Sequence, residues 1–502
     1  MVISGKASSV NTKLATLLLT ALLSGCTVGP DYTPPTSQLP EHWIESAGFR
    51  KTPGSSSEWW KKFNDPTLNR LIREAILNNL DLKQTYTRIV EAREQRTVAI
   101  AAGLPIVSTK TSVSRRLNNA GQSGSGGLPG GYGFGGYTDI LQLGFDVSWE
   151  IDLFGSIRRS VEAAQASLEA EVENSRDILI TLLGDVARYY IEMRRDQRLL
   201  EVTRENLRLQ SETARLTRIS VEAGLSHTLE AAQADALVAQ TQATLPQYET
   251  QRKQAMYQIE LLLGKQPGAL KNLLESEQPM PVTPEYIAAS LPSELLRRRP
   301  DIRKAERELA QTNANVGVAV ADMYPKFNIA AFLGLQNTQL TDITALGKSW
   351  SAAGTLTTPV FNWGKIQANI TAKEAQHDQA LLSYQSTVLG ALKEVESNLV
   401  AYAQEKQRCA SLAQAVASNR LALALSQERY RSGLTSFLNV LDSERTLFSA
   451  ESDWVASQAQ VSSDMIAIYK ALGGGWETAL ADSGDIARSN DTVNPLMIAP
   501  LR

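Results

Sequence analysis

Cysteine is nearly absent from this chain: 502 residues contain two, Cys26 and Cys409. If the Cys26 thiol is covalently modified, Cys409 has no partner and no disulfide within the chain is possible. The surroundings of Cys409 are helical in pattern, which makes it a small packed side chain. Histidine is as scarce. His42, His227 and His377 stand far apart and none has metal-ligand spacing to another, so neither a metal site nor a cofactor is expected. There is no excess of charge either: 50 basic against 53 acidic residues leave a formal net charge of -3. That gives no case for a nucleic-acid partner, which requires a clustered basic surface. After residue 26 no run of 18 apolar residues occurs. No transmembrane helix is therefore expected, and strands would have to make any membrane crossing.

Proline is missing from two long stretches, Ser156 to Glu222 and Lys365 to Ser432. At about 1.5 Å per residue, each forms a rod on the order of 100 Å, whereas globular helices usually run about 8–20 residues. Gly224 and Gly433 then mark sharp turns, and each chain segment returns as a second helix of roughly 40 residues, the first of them interrupted by Pro246. Leu199, Val202, Leu209, Leu216 and Ile219 are interleaved with alanines and charges, a composition suited to coiled-coil packing.

The first 26 residues name a compartment. Lys6 and Lys13 form a short basic region, and Leu14 to Leu23 an apolar stretch too short to span a bilayer. It runs into Leu23-Ser24-Gly25-Cys26, which resembles a bacterial lipoprotein box. The alternative is an ordinary secretory signal with a chance cysteine. In the lipoprotein reading Cys26 carries a diacylglyceryl group and a third acyl chain, and several chains anchor stably where one does not. Thr27 follows where retention in the inner membrane favours Asp, so the resemblance implies sorting to the outer membrane.

The chain is written twice. Gly155-Ser156-Ile157 recurs as Gly364-Lys365-Ile366, and 364 minus 155 is 209. The same offset relates Val186 to Val395, Ala223-Gly224-Leu225 to Ser432-Gly433-Leu434, and Leu263-Gly264 to Leu472-Gly473. Upstream the offset becomes 220, pairing Asp81 with Asp301, Val98 with Val318 and Pro105 with Pro325. The 11 extra residues of the first copy, 220 minus 209, must fall between Pro105 and Gly155, where the glycine-rich stretch from Gly121 to Gly136 lies. Such self-similarity signals duplicated architecture, and each copy reads as helix, strand, loop, strand, long helix, turn, helix.

One strand is clear. Leu141, Leu143, Phe145, Val147, Trp149, Ile151 and Leu153 alternate with Gln142, Gly144, Asp146, Ser148, Glu150 and Asp152, giving one apolar and one polar face. A half-buried soluble strand reads the same way, but the length is that of a tilted spanning strand. The other expected strands are Ile106 to Ser114, Phe327 to Leu335 and Ala352 to Phe361, the last ending near Pro359. Four strands cannot close a barrel, for which about eight is the minimum, and open edges in lipid are prohibitive. Any barrel must be shared between chains.

On these residues the chain resembles the outer membrane factor family of TolC-like ducts, in the lipoprotein branch serving resistance-nodulation-division pumps. The matching pieces are Cys26-Thr27-Val28-Gly29-Pro30-Asp31-Tyr32, Trp59-Trp60, Asp65-Pro66-Thr67-Leu68 and Glu150-Ile151-Asp152-Leu153-Phe154-Gly155. Others are Leu296-Arg297-Arg298-Arg299-Pro300-Asp301-Ile302-Arg303 and Arg429-Tyr430-Arg431-Ser432-Gly433. The resemblance implies a mainly α fold: a homotrimer whose four strands per chain make a 12-stranded transmembrane barrel, continued by a periplasmic α-helical barrel with an equatorial α/β belt. It divides the chain into a signal peptide (1–25), a lipid-anchored extension (26–60), a first repeat (61–264), an equatorial linker (265–295), a second repeat (296–476) and a polar tail (477–502). It implies a passive exit duct for drugs or other small toxic molecules, working with a periplasmic adaptor, an inner-membrane pump and outer-membrane lipid. A duct for a type I polypeptide exporter is the neighbouring alternative, and a pore-free coiled-coil lipoprotein a further one.

Within that frame Gly224, Leu225, Gly433 and Leu434 lie at the tips that meet the adaptor, or are simply helix caps and turns. Leu438 and Asp442 share a helix face, and in a trimer a leucine ring over an acidic ring closes and selects. Arg445 holds Asp442 or bridges to Asp235, which resembles the family's periplasmic gate; ordinary surface ion pairs are the plain alternative. Asp146, Glu150 and Asp152 project to the polar strand face and line the lumen, or pair with Arg158 and Arg159. Nothing supplies the nucleophile that a catalytic carboxylate pair needs. Gly131-Tyr132-Gly133-Phe134-Gly135-Gly136 lacks the following helix of a phosphate loop.

Overall fold

The computed structural model describes residues 27–36, 39–45, 49–50, 57–118, 136–284, 287–288, 292–337 and 347–477. The main helices are α1 (Pro66–Asn78), α2 (Leu80–Ala101), α3 (Ser156–Glu222), α4 (Thr228–Leu262), α5 (Pro300–Ala321), α6 (Lys365–Arg431) and α7 (Phe437–Ala471). The long strands are β1 (Ile106–Asn118), β2 (Gly136–Ile151), β3 (Lys326–Asn337) and β4 (Gly347–Thr357); the two-residue strands Phe49–Arg50 and Ile287–Ala288 pair in parallel. The duplication appears as matched lengths: α2 and α5 have 22 residues each, α3 and α6 have 67, and α4 and α7 have 35. At about 1.5 Å rise per residue, α3 and α6 each run roughly 100 Å. Among the described residues no helix is long and apolar enough to cross a membrane.

Two expectations need correction. Helix α4 runs unbroken through Pro246; a proline removes a single amide donor, and the rest of the helix spans the defect. Strand β4 begins at Gly347 and ends at Thr357, five residues earlier at its start than expected. Pro359 lies beyond it, since a residue without an amide hydrogen cannot extend the ladder.

Residues 27–35, 89–170 and 306–383 form one compact unit. Its sheet has the order β1-β2-β3-β4, antiparallel throughout. The two hairpins share one register. Shifting β1 numbers by 220 and β2 numbers by 209 turns the pair Ile106–Ser148 into Lys326–Thr357, and Val113–Leu141 into Leu333–Trp350; all four pairs are observed. The extra residues of the first copy therefore fall in the connection between β1 and β2. Apart from Ile106 at the start of β1, every exposed large apolar side chain of the sheet sits on one face. These include Val107, Val113, Leu117, Leu143, Phe145, Trp149, Leu333, Trp350 and Leu356. An exposed apolar band of this size requires lipid or protein to cover it. On the other face Phe332 is buried above Gly144 and Gly334, where any Cβ would come within 2.7 Å of its ring.

The N-terminal segment is seated in the same unit. The Val28 amide donates to the Phe154 carbonyl at 3.1 Å. Arg159 donates to the Val28 carbonyl at 3.2 Å and pairs with Asp31 at 2.7 Å and Glu162 at 2.8 Å. Burial works against the Arg159 cation, and Asp31 and Glu162 more than offset it, so its pKa is raised. Gly29, at φ +88°, lies against the backbone of Gly317, where a Cβ would come within 2.5 Å of the Gly317 Cα. Two glycines thus let two backbones touch.

Residues 36–88, 171–305 and 384–477 belong to the second unit. Its core joins Trp59, Phe63, Leu68, Leu71, Leu183, Val186, Val395, Met465 and Tyr469, all nearly free of solvent contact. Trp59 stacks on Tyr469 at 5.5 Å. Asp65 caps α1 by accepting from the Leu68 amide at 2.9 Å, and its other oxygen accepts from the Tyr190 hydroxyl at 2.7 Å. The Arg194 Nε in turn donates to that hydroxyl at 3.1 Å. Burial raises the Tyr190 pKa to about 12, which keeps the phenol a donor. The arginine-rich motif is equally structural. Arg299 pairs with Asp301 at 2.7 Å and Glu394 at 2.8 Å, and donates to the last carbonyl of α7, that of Ala471, at 2.7 Å. Cys409 is half-buried and packs against this core.

Candidate functional site

The two helical turns are copies of one another. Gly224 has φ +72° and Gly433 φ +70°. Around the first, Leu225 N–H donates to Ser220 O at 2.8 Å and Gly224 N–H to Val221 O at 3.0 Å. Around the second, Leu434 N–H donates to Arg429 O and Gly433 N–H to Tyr430 O, both at 2.9 Å. This is a left-handed glycine cap that satisfies the last carbonyls of each long helix. Only the glycine conformation is demanded there, because a Cβ at either position would meet nothing within 4 Å. Leu225 and Leu434, the next residues, are 83% and 67% exposed. Two caps thus present two bare leucines, which the caps do not require.

Beneath the turns Ala214, Ala234, Leu423, Phe437, Val440, Leu441 and Leu447 form a separate small core. Phe437 is fully buried with its ring 5.2 Å from that of Tyr430. The face of α7 adjoining this core carries the residues singled out from the sequence, with Leu441 shared between the two. Leu438, Asp442 and Arg445 line a groove of about 280 Å³ with Gln233, Ala236, Leu237 and Gln240 of α4. Arg445 pairs with Asp442 at 3.1 Å. Asp235 pairs instead with Arg218 of α3, at 3.4 Å, tying the two arms of the first hairpin. All four of these charged side chains are more than half exposed, so each pair contributes about 1 kcal/mol at most.

Sequence reasoning missed Arg218, Gln233 and Gln240. The duplication could not flag Arg218, since the residue 209 further on is Gln427. It also concealed an inversion: Asp235 corresponds to Glu444, and the first is exposed while the second is 2% exposed. Glu444 accepts from the Thr213 hydroxyl at 2.7 Å. Burial raises its pKa, with Thr213 and Gln427 as partial compensation and no cation involved. Nearby on α3, Gln210 is buried with neither amide atom hydrogen-bonded. One heptad further along α7, Glu451 is met by Asn206 at 2.9 Å and Arg420 at 2.7 Å. The packing face of α7 therefore carries a polar seam.

The remaining predicted residues lie elsewhere. Asp146 pairs with Lys110 at 3.0 Å across β1 and β2. Asp152 accepts from the Arg158 amide at 2.9 Å, where α3 begins, and pairs with the Arg158 side chain at 3.4 Å. Glu150 stands opposite Asn328 in the β2–β3 ladder. Cys26 lies outside the described residues, as do the glycine-rich loop up to Gly135 and the tail beyond Glu477. A larger cavity, about 710 Å³, lies where residues 277–283 cross the second unit, lined by Cys409 and Trp454 among others. Among the described residues no group of three or more His, Cys, Asp or Glu could hold a metal.

Comparison with known proteins agrees with this architecture. The family model described as outer membrane efflux protein matches residues 71–265 and 291–474. Nodulation protein T of Rhizobium leguminosarum bv. viciae is 32% identical over 92% of this chain and 94% of its own. The toluene efflux pump outer membrane protein TtgI of Pseudomonas putida is 31% identical over 91% and 97%. Among solved structures, the outer-membrane channel OprN superposes with TM-score 0.83 at 34% identity, covering 90% of this chain and 100% of that one. The open-state MtrE outer membrane channel of Neisseria gonorrhoeae gives 0.79 at 28% identity, covering 90% and 99%. With two repeats in one register, two 67-residue helices and a family match over both halves, the chain belongs to the outer membrane efflux protein family.

Proposed function

We propose that this protein is the outer-membrane exit duct of a tripartite efflux system, conducting small toxic molecules passively and catalysing nothing. The observation that carries the reading is a four-stranded sheet with both edge strands open and one face covered in exposed apolar side chains, joined directly to two helices of 67 residues. Open edges do not survive in lipid, and a homotrimer closes them as a barrel of twelve strands. The N-terminal segment docked by Arg159 then carries a lipidated Cys26 at the outer membrane. Leu225 and Leu434 are the contacts for a periplasmic adaptor, which links the duct to an inner-membrane pump of resistance-nodulation-division type. Leu438, Asp442, Arg445 and Asp235 form the gate, while Asp146, Glu150 and Asp152 face the lumen. Relatives described as toluene, solvent and antibiotic efflux components support the cargo class.

Deleting the gene and challenging the strain with antibiotics, dyes, solvents and metals tests this directly. Increased sensitivity to at least one class is expected, together with single-channel conductance of the purified protein in planar bilayers. A conducting protein whose loss sensitises to nothing would redirect the reading to polypeptide export.

A further inference from the structure

The cavity of about 710 Å³ in the second unit belongs to neither the helix tips nor the sheet. It lies between residues 277–283 and the helices α3, α6 and α7. Pro279 and Pro281 stiffen the crossing segment by fixing two backbone angles. The segment is also tied down near both ends. Gln278 accepts from Arg194 at 3.4 Å, and the Thr283 and Ser462 hydroxyls share a hydrogen bond at 2.6 Å. The space beside it is therefore preformed. Its volume falls in the range of about 300–1000 Å³ usual for sites that take drug-sized molecules.

The charges in the lining are already matched. Glu277 pairs with Arg204 at 3.2 Å, and Arg198 pairs with Glu201. Gln197 donates to the Leu274 carbonyl at 2.8 Å and accepts from Arg194 at 2.6 Å. What the cavity offers a visitor is Met280, Pro281, Val282, Cys409, Trp454 and Val461. Among the described residues the Trp454 indole and the Gln458 amide have no hydrogen-bond partner. We propose that this cavity binds an uncharged aromatic molecule of drug size, seated against Trp454 and hydrogen-bonded by Gln458. A charged molecule would find no free counter-charge there, and burying an unpaired charge is costly. The fold does not require these residues. At the places 209 earlier the first repeat has Leu245 and Glu249, and Glu249 is taken up by Arg252 at 2.7 Å. Residues 277–283 lie between the repeats, so their meeting with Trp454 and Gln458 occurs once per chain. The site belongs to one chain, and its occupancy does not depend on conduction through the duct.

Cys409 in the cavity wall is a built-in reporter for the test, made on the full-length, detergent-extracted protein. The probe is phenylnaphthylamine, which is uncharged and fluorescent; anilinonaphthalene sulfonate has the same rings and a negative charge. Alkylation of Cys409 by iodoacetamide is followed by peptide mass spectrometry. With the neutral probe at about ten times its dissociation constant, about one site in eleven stays open, so alkylation should slow about tenfold. The sulfonate should need at least about tenfold more for the same protection. A bulky maleimide on Cys409 should abolish saturable probe fluorescence, whereas Cys409→Ser protein treated in the same way should retain it. Trp454→Leu, which installs the residue of the first repeat, should weaken the neutral probe about 3–10-fold by loss of the aromatic contact. Alkylation that the neutral probe does not slow would overturn the proposal. So would equal protection by both compounds, fluorescence that survives the maleimide, or unchanged affinity in Trp454→Leu.

Discussion

Replacing Glu444 by glutamine tests whether the hairpin ends are held loosely by design. Glu444 is 2% exposed; the Thr213 hydroxyl meets one carboxylate oxygen, and the other is buried with no hydrogen-bond partner. A buried charge compensated only by neutral donors weakens the packing of α3, α6 and α7 around it. The glutamine keeps an acceptor for Thr213 and removes the charge, so Glu444→Gln should stabilise the closed packing by about 1–2 kcal/mol per chain. The sign with pH follows from the raised pKa. Stability from the protonated form is fully present below the ordinary value of 4.5 and is lost as pH rises through the folded value. Hydrogen exchange over residues 437–450, expressed as protection factors to divide out intrinsic rates, reads this locally. At about pH 8 the Glu444→Gln protein should be protected roughly 5–30-fold more than wild type, and at about pH 4 the two should converge. Equal protection at high pH, or a difference that persists unchanged at low pH, refutes the reasoning.

Neutralising the groove with Asp442→Ala and Arg445→Ala together should raise single-channel conductance; unchanged conductance removes these residues from the gate. Asp65→Ala strips a helix cap worth about 0.5–2 kcal/mol and leaves the buried Tyr190 O–H without an acceptor at about 1–3 kcal/mol. Its denaturation midpoint, at fixed protein concentration, should therefore fall by the equivalent of about 2–4 kcal/mol, and a loss under half of that would show the network to be dispensable. Gly317→Val places side-chain atoms where Arg159 now lies, since even a Cβ there would be 2.9 Å from the Arg159 side chain. Limited proteolysis between residues 27 and 35 should accelerate while trimers persist, and unchanged cleavage would mean the segment does not depend on this seat.

Much of this protein is legible in one dimension because its elements are long and repeated. The proline-free runs became α3 and α6 within a residue of their expected ends, since a helix is a local structure and its period needs no partner. Strand β2 was plain in its alternating part but starts at Gly136, five residues before the expected Leu141, and β4 was misplaced by as much. Its sequence of glycine, serine, alanine and threonine has almost no apolar alternation to read. The offsets 209 and 220 even carried the hairpin register. Side-chain partnerships were not available from the sequence. That Arg445 meets Asp442 while Asp235 meets Arg218, or that Asp146 meets Lys110, depends on which helix or strand lies alongside. Nor could the sequence separate Asp235 from Glu444, two acids at equivalent positions, one exposed and one buried. Local chemistry and periodicity determined the elements, their order and the need for more than one chain. Only tertiary packing decided which charges are solvated, because burial is set by neighbours remote in sequence.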